Sequence, residues 1–139
     1  EQKAEMKANC PEIDEKYLSF LQRAVPAISL PSFTALNTAF CNDVEPELVF
    51  AQCLMGLGKK DDILLCISTS GNSKNVVAAA LTAKALGLKT IGLTGKTGGR
   101  LKSICDICVC VSETETFKVQ ELHLPVYHYL CARVEEKLF

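Results

Sequence analysis

No charge of either sign predominates in this chain: 15 Lys and Arg stand against 16 Asp and Glu, for a net charge of -1. Nothing electrostatic therefore draws it to nucleic acid or to a membrane surface. Long apolar runs are also missing, and none approaches the roughly 18–20 residues of a membrane-spanning helix. The chain opens on Glu1, without an initiator Met and with nothing that resembles a signal peptide, so a cytoplasmic location is the expectation. Internal repeats and low-complexity tracts are absent. Cysteine is plentiful, at eight residues, but it lacks the paired spacing of a disulfide framework, which favours a reducing compartment. What remains is 139 residues of ordinary globular composition, enough for one domain with a real core.

Residues 62–73, DILLCISTSGNS, stand out. Ile63-Leu64-Leu65-Cys66-Ile67 is a continuous apolar run, as a strand buried on both faces requires. It stops in six small or polar residues, Ser68 to Ser73, and an Ala- and Val-rich helical stretch starts at about Lys74. A strand, a hydroxyl-rich turn and a helix N-terminus in that order can hold an anion, through backbone N–H groups, the helix dipole and hydroxyl donors. A second reading stays open, in which a Ser or Asn here is simply the helix N-cap.

The rest of the chain alternates strand and helix. Residues 1–11 are polar and without pattern. Ile13, Tyr17, Leu18 and Leu21 predict a short amphipathic helix within residues 11–24, and Pro26–Leu30 reads as a first strand. Residues 32–43 form a connection or short helix ending in Asn42-Asp43, and a helix follows from Pro46 to Gly56 or Gly58. After the helix of residues 73–86, a strand is expected at Lys89–Thr94, a turn at 95–99, a short helix at Arg100–Ile104 and a strand at Ile107–Val111. A long helix follows Thr114–Phe117. This order predicts βαβ units and a parallel sheet.

Gly95-Lys96-Thr97 lacks the upstream glycine of a nucleotide-binding P-loop, since position 90 is Thr, and reads as a plain strand-to-helix turn. Cys105, Cys108 and Cys110 could suggest a metal or cluster site, but a fourth ligand is not evident. Ile104–Val111 reads better as a buried strand that uses Cys as a small hydrophobe. On the final helix, Val119, Leu122, Val126, Tyr129, Leu130 and Val134 form the expected core stripe, with Gln120 and His128 off it. These two lie about 12 Å apart along the axis of an ideal helix, so one compact site would need long reach, a bend at Pro125 or two subunits.

Together, ND at 42–43, ISTSGNS at 67–73, GLKTIGLTGKTGG at 87–99 and VQELHLPVYH at 119–128 resemble the sugar isomerase (SIS) domain family. Within it they are most similar to the phosphoheptose (sedoheptulose 7-phosphate) isomerase branch. The resemblance implies an α/β three-layer sandwich with a parallel, Rossmann- or flavodoxin-like sheet. It makes residues 1–139 a single SIS domain, with 1–23 a linker or N-terminal helical segment and 24–139 the core. It implies that Ser68, Thr69, Ser70 and Ser73 hold the sugar phosphate, that Asn42, Asp43 and Gln120 contact substrate, and that His128 transfers protons. Gln120 and His128 would also be zinc ligands, with no nucleotide cofactor. The implied reaction is aldose–ketose isomerisation of sedoheptulose 7-phosphate in a homotetramer with sites between subunits. The alternative is a non-catalytic SIS module that binds a phosphosugar as regulator or adaptor.

The departures are specific. The family's upstream GNGGSA-type loop is missing, and so is its H-x3-E helix, whose Glu is the base. Sequence ahead of Glu1 is the expected place for that base, and Glu5 is the second candidate. Phe117 stands where a polar residue is usual, three positions before Gln120.

Overall fold

The computed structural model describes residues 2–139. Its three strands, β1 (Ile63–Ser68), β2 (Lys89–Thr94) and β3 (Ile107–Cys110), are all parallel and lie in the order β1-β2-β3. Helix α5 (Lys74–Ala85) connects β1 to β2, and α6 (Leu101–Ile104) connects β2 to β3. The expected α/β class and parallel sheet are therefore present, with strand and helix ends close to those read from the sequence. The remaining helices are α1 (Gln2–Asn9), α2 (Glu15–Phe20), α3 (Thr34–Asp43), α4 (Val49–Leu57) and α7 (Thr116–Leu138).

Small side chains let α5 lie close to the sheet and to α4. Its Val77 and Ala80 pack with Cys66 and Leu101, and its Ala79 and Ala83 pack with Leu54 of α4 and Leu88. Ala80 and Ala83 are completely buried, so a larger residue at either would overpack the core by about 1–3 kcal/mol. This packing fixes the position and direction of the α5 N-terminus. The other sheet face is less covered: Ile63, Leu65 and Ile67 of β1 and Ile107 of β3 are exposed, so β1 is not buried on both faces as its apolar run implies.

One polar network ties β2 to the turn before β3. The Asp106 carboxylate accepts from Thr90 N–H at 2.8 Å, from Thr90 Oγ1 at 2.9 Å and from Lys84 Nζ at 3.3 Å. The bond from the Thr90 backbone contributes most to holding the Asp106 carboxyl at about 2. A carboxyl depressed in the folded state stabilises the fold above its unfolded value near 3.9, and the contribution is lost as pH falls through 2. Asp106→Asn should therefore lower the melting temperature at pH 7 and flatten its decline between pH 4 and 2, as thermal melts across that range would register. An unchanged acid limb would remove Asp106 from the account.

Four sequence readings are corrected. Pro26–Leu30 is not a strand: it runs without ladder bonds along an apolar groove that β1, Phe50 and Leu54 also line. An extended run becomes a strand only with a partner, and Pro26 has no N–H to offer one. The helix expected within residues 11–24 contracts to Glu15–Phe20, where Asp14 accepts the N–H of Lys16 at 2.8 Å as the cap. Residues 2–9, read as patternless, form α1. On α7 the expected core stripe holds only in part: Val119 is buried and Val126 and Leu130 are half-buried, but Leu122, Tyr129 and Val134 are exposed, and His123, off the stripe, is buried. At 23 residues α7 is about 34 Å long, whereas the six residues of β2 span about 20 Å, and residues 131–139 at its C-terminal end are all exposed.

The cysteines are all free. Cys108 and Cys110 are half-buried, with their sulfurs 3.8 Å apart, and Thr94 Oγ1 lies 3.3 Å from the Cys110 sulfur. Burial pushes the Cys66 thiol up to about 12 and raises Cys105 and Cys108 as well. These thiols stay protonated at neutral pH and act as packing atoms. Among the described residues no group of three His, Cys, Asp or Glu side chains is placed to hold a metal ion.

Candidate functional site

β1 delivers Ser68 to the end of the sheet, and the chain turns at once, with Gly71 N–H donating to Ser68 O at 3.0 Å. The buried Ser68 hydroxyl lies 2.9 Å from the Ser73 hydroxyl, so one donates to the other. Ser73 stands at the N-cap position of α5, yet its side chain makes no capping bond. The plain cap reading of this serine is therefore not what the fold uses. Val76 N–H is taken by Asn75 Oδ1 at 2.9 Å. The N–H groups of Ser73, Lys74 and Asn75 find no partner among the described residues. Unpaired donors, exposed hydroxyls at Ser70 and Ser73, and the positive end of a 12-residue helix converge on one turn. Such an arrangement has the donors and the dipole that an anion site needs.

Lys74 does not supply its charge to that turn. Its ammonium sits 2.5 Å from Glu47, and this hydrogen bond raises the Lys74 pKa and ties the start of α5 to the 3-10 turn at Pro46–Leu48.

The turn rests on a second one, residues 95–100, which in the sequence reads as no more than a plain connection. Gly95 N–H donates to Thr69 O at 2.9 Å, and Leu101 N–H donates to Gly71 O at 3.1 Å. Gly71 has φ +67, and a Cβ there would sit 2.0 Å from the Gly98 carbonyl oxygen. The sequence signal was available in the two glycine-containing turns, STSGNS and GKTGG, which each follow a strand of the same parallel pair.

The other expected site residues are placed as follows. Asn42 and Asp43 end α3, both exposed. Gln120 and His128 are exposed on α7, eight residues apart, and the buried His123 lies between them. The helix continues through Pro125, and the Tyr127 and His128 rings meet edge to face with centroids 5.1 Å apart. His123 Nε2 is buried without a hydrogen-bond partner. Glu5 is exposed on α1; Glu1 lies outside the described residues. Gln120 and His128 are separated by about 12 Å of helix, and no third ligand joins either of them among the described residues.

The model of the SIS domain matches residues 17–95, more than half of the chain and including the whole strand–turn–helix unit. The chain belongs to the SIS domain family. It is 47% identical over 115 residues to a phosphoheptose isomerase of a Nitratiruptor species, covering 83% of this chain and 62% of that protein. A phosphoheptose isomerase of Helicobacter pylori is 44% identical over 114 residues, covering 82% and 59%. The structure of a phosphoheptose isomerase from Francisella tularensis superposes with a TM-score of 0.76 at 38% identity, over 80% of this chain and 60% of that one. The corresponding enzyme from Neisseria gonorrhoeae gives 0.77 at 34%, over 79% and 61%. This SIS domain therefore spans about three fifths of the length of the relatives it matches. Among its described residues no helix is long and apolar enough to cross a membrane.

Proposed function

We propose that this SIS domain holds the phosphate of a sugar phosphate in the turn at Ser68–Ser73, as the substrate-gripping part of a phosphoheptose isomerase. The observation that carries the reading is the set of unpaired N–H groups and hydroxyls at the start of α5. It occurs in a chain 47% identical to an enzyme of that name. The substrate would be sedoheptulose 7-phosphate, and the reaction an aldose–ketose isomerisation. Thr69 and Ser70 would join Ser73 in holding the phosphate, with Ser68 orienting Ser73 through their shared hydrogen bond. Asn42, Asp43 and Gln120 would contact the sugar. Isomerisation moves one proton between adjacent carbons and others at the oxygens. His128 would carry one of these transfers, and a carboxylate the other. The separation of His128 from Gln120 supports an oligomer, a homotetramer by family resemblance, in which neighbouring subunits complete each site. Eight free cysteines are in keeping with the cytoplasm.

Titrating sedoheptulose 7-phosphate into the protein tests the grip. Ser73→Ala should weaken binding about 10- to 150-fold, the loss expected for a hydrogen bond to a charged group. Wild-type affinity in Ser73→Ala would rule the turn out.

A second reading, a non-catalytic SIS module acting as regulator or adaptor, holds if no neighbouring subunit completes a site around the exposed, widely spaced Gln120 and His128. Tight phosphosugar binding without turnover in the full-length native protein would select it.

A further inference from the structure

We propose that Asn72 is the positioning residue of the phosphate turn, fastening it to the turn that begins α6 and aiming the Ser70 hydroxyl at the ligand. The proposal rests on the phosphosugar reading of this site. Asn72 Oδ1 accepts the N–H of Arg100 at 2.9 Å, and Asn72 Nδ2 donates to the Ser70 carbonyl at 3.1 Å. These two bonds form a side-chain link between the turns, beside the backbone bond from Leu101 N–H to Gly71 O.

A third bond has a directional effect. Asn72 N–H donates to Ser70 Oγ at 3.1 Å. A serine hydroxyl has one proton and two lone pairs. With a lone pair engaged by Asn72, the proton of the exposed Ser70 hydroxyl is left to donate outward, as an anion requires. Asn72 acts through Ser70 and the backbone, without itself touching the phosphate.

The amide suits this role because it accepts and donates at once. Aspartate could accept from Arg100 but could not donate to the Ser70 carbonyl, and its charge would oppose a phosphate. Alanine makes neither side-chain bond and keeps only the backbone bond from residue 72 to Ser70 Oγ, so the loss it reports is that of the link between the turns.

The test measures inorganic phosphate and sedoheptulose 7-phosphate affinity for wild type, Asn72→Ala, Asn72→Asp and Ser73→Ala, alongside the melting temperature of each without ligand. Asn72→Ala should weaken both ligands by about tenfold or more while remaining folded. In the full-length native enzyme the change should appear in KM, with kcat within about twofold. Should Asn72→Ala fail to fold, Asn72→Asp retains the Arg100 acceptor and should show the same loss of affinity. Without any substitution, saturating phosphate should slow hydrogen exchange at the Arg100 amide. Wild-type affinity in a folded Asn72 variant, or an Arg100 amide indifferent to phosphate, overturns the proposal. If wild type binds neither ligand, the phosphosugar reading itself fails; if wild type binds, Ser73→Ala weakens and Asn72→Ala does not, only the role of Asn72 fails.

Discussion

Gly71→Ala should abolish phosphate binding and destabilise the fold by about 3 kcal/mol or more, a large share of the roughly 5–15 kcal/mol that holds a domain together. Two independent effects combine. The residue occupies φ +67, which side-chain-bearing residues adopt at a cost, and its new Cβ would lie 2.0 Å from the Gly98 carbonyl oxygen, well inside contact distance. Backbone forms the obstacle, so no rotamer change relieves it. The turns must separate, and with them go the bond from Leu101 N–H to Gly71 O and the Asn72 link. Gly56→Ala is the natural control: it lies in α4 with nothing near its missing Cβ, and should be neutral or stabilising by up to about 1 kcal/mol. Thermal melts and phosphate titration read both variants. A Gly71→Ala protein that melts with wild type and binds phosphate would show that the turns do not interlock.

His128→Ala in the full-length native protein should lower kcat about 10²- to 10⁴-fold, the range for losing a general acid or base. Substrate affinity should stay within a few-fold of wild type. On the proposed reading the phosphate end is held at the start of α5, whereas the exposed imidazole sits midway along α7, so the two functions are physically separable. This separation also allows a mixing experiment. If each site is shared between subunits, His128→Ala and Ser73→Ala proteins, each impaired alone, should regain part of the activity when assembled together. Unimpaired turnover in His128→Ala would remove His128 from the chemistry, and no recovery on mixing would place both residues in one subunit's site.

The strand–turn–helix unit was legible because each part carries its own signal. Ile63–Ile67 is apolar throughout, the turn is all small and polar, and α5 is rich in alanine. Helix α1 was not legible by periodicity, since its eight residues bury none, although Gln, Lys, Ala, Glu and Met are strong helix formers. The apolar stripe on α7 was real in the sequence but predicted burial only in part, at Val119, Val126 and Leu130, because burial depends on what the rest of the fold lays against each turn of the helix. The platform at 95–100 escaped for a different reason. A run of glycines says that the backbone turns or approaches something closely, without saying what it meets. The partner, Gly71, lies on the preceding βα turn, and only the parallel pairing of β1 with β2 brings the two together. Asn42, Asp43, Gln120 and His128 came from family resemblance, and no local pattern gathers them into one place.

The seating of one turn on the other also sets an order of events during folding. Asn72 and Arg100 are 28 residues apart in sequence, and the chain between them includes all of α5 and β2. The phosphate turn cannot take its final shape until that loop has closed, an entropic cost met before the contact forms. Affinity for the anion is thus acquired only once that loop has closed. A ligand that binds there recognises finished molecules and, by mass action, draws nearly finished ones to completion: at 100 times its dissociation constant it adds about 2.7 kcal/mol to the native state.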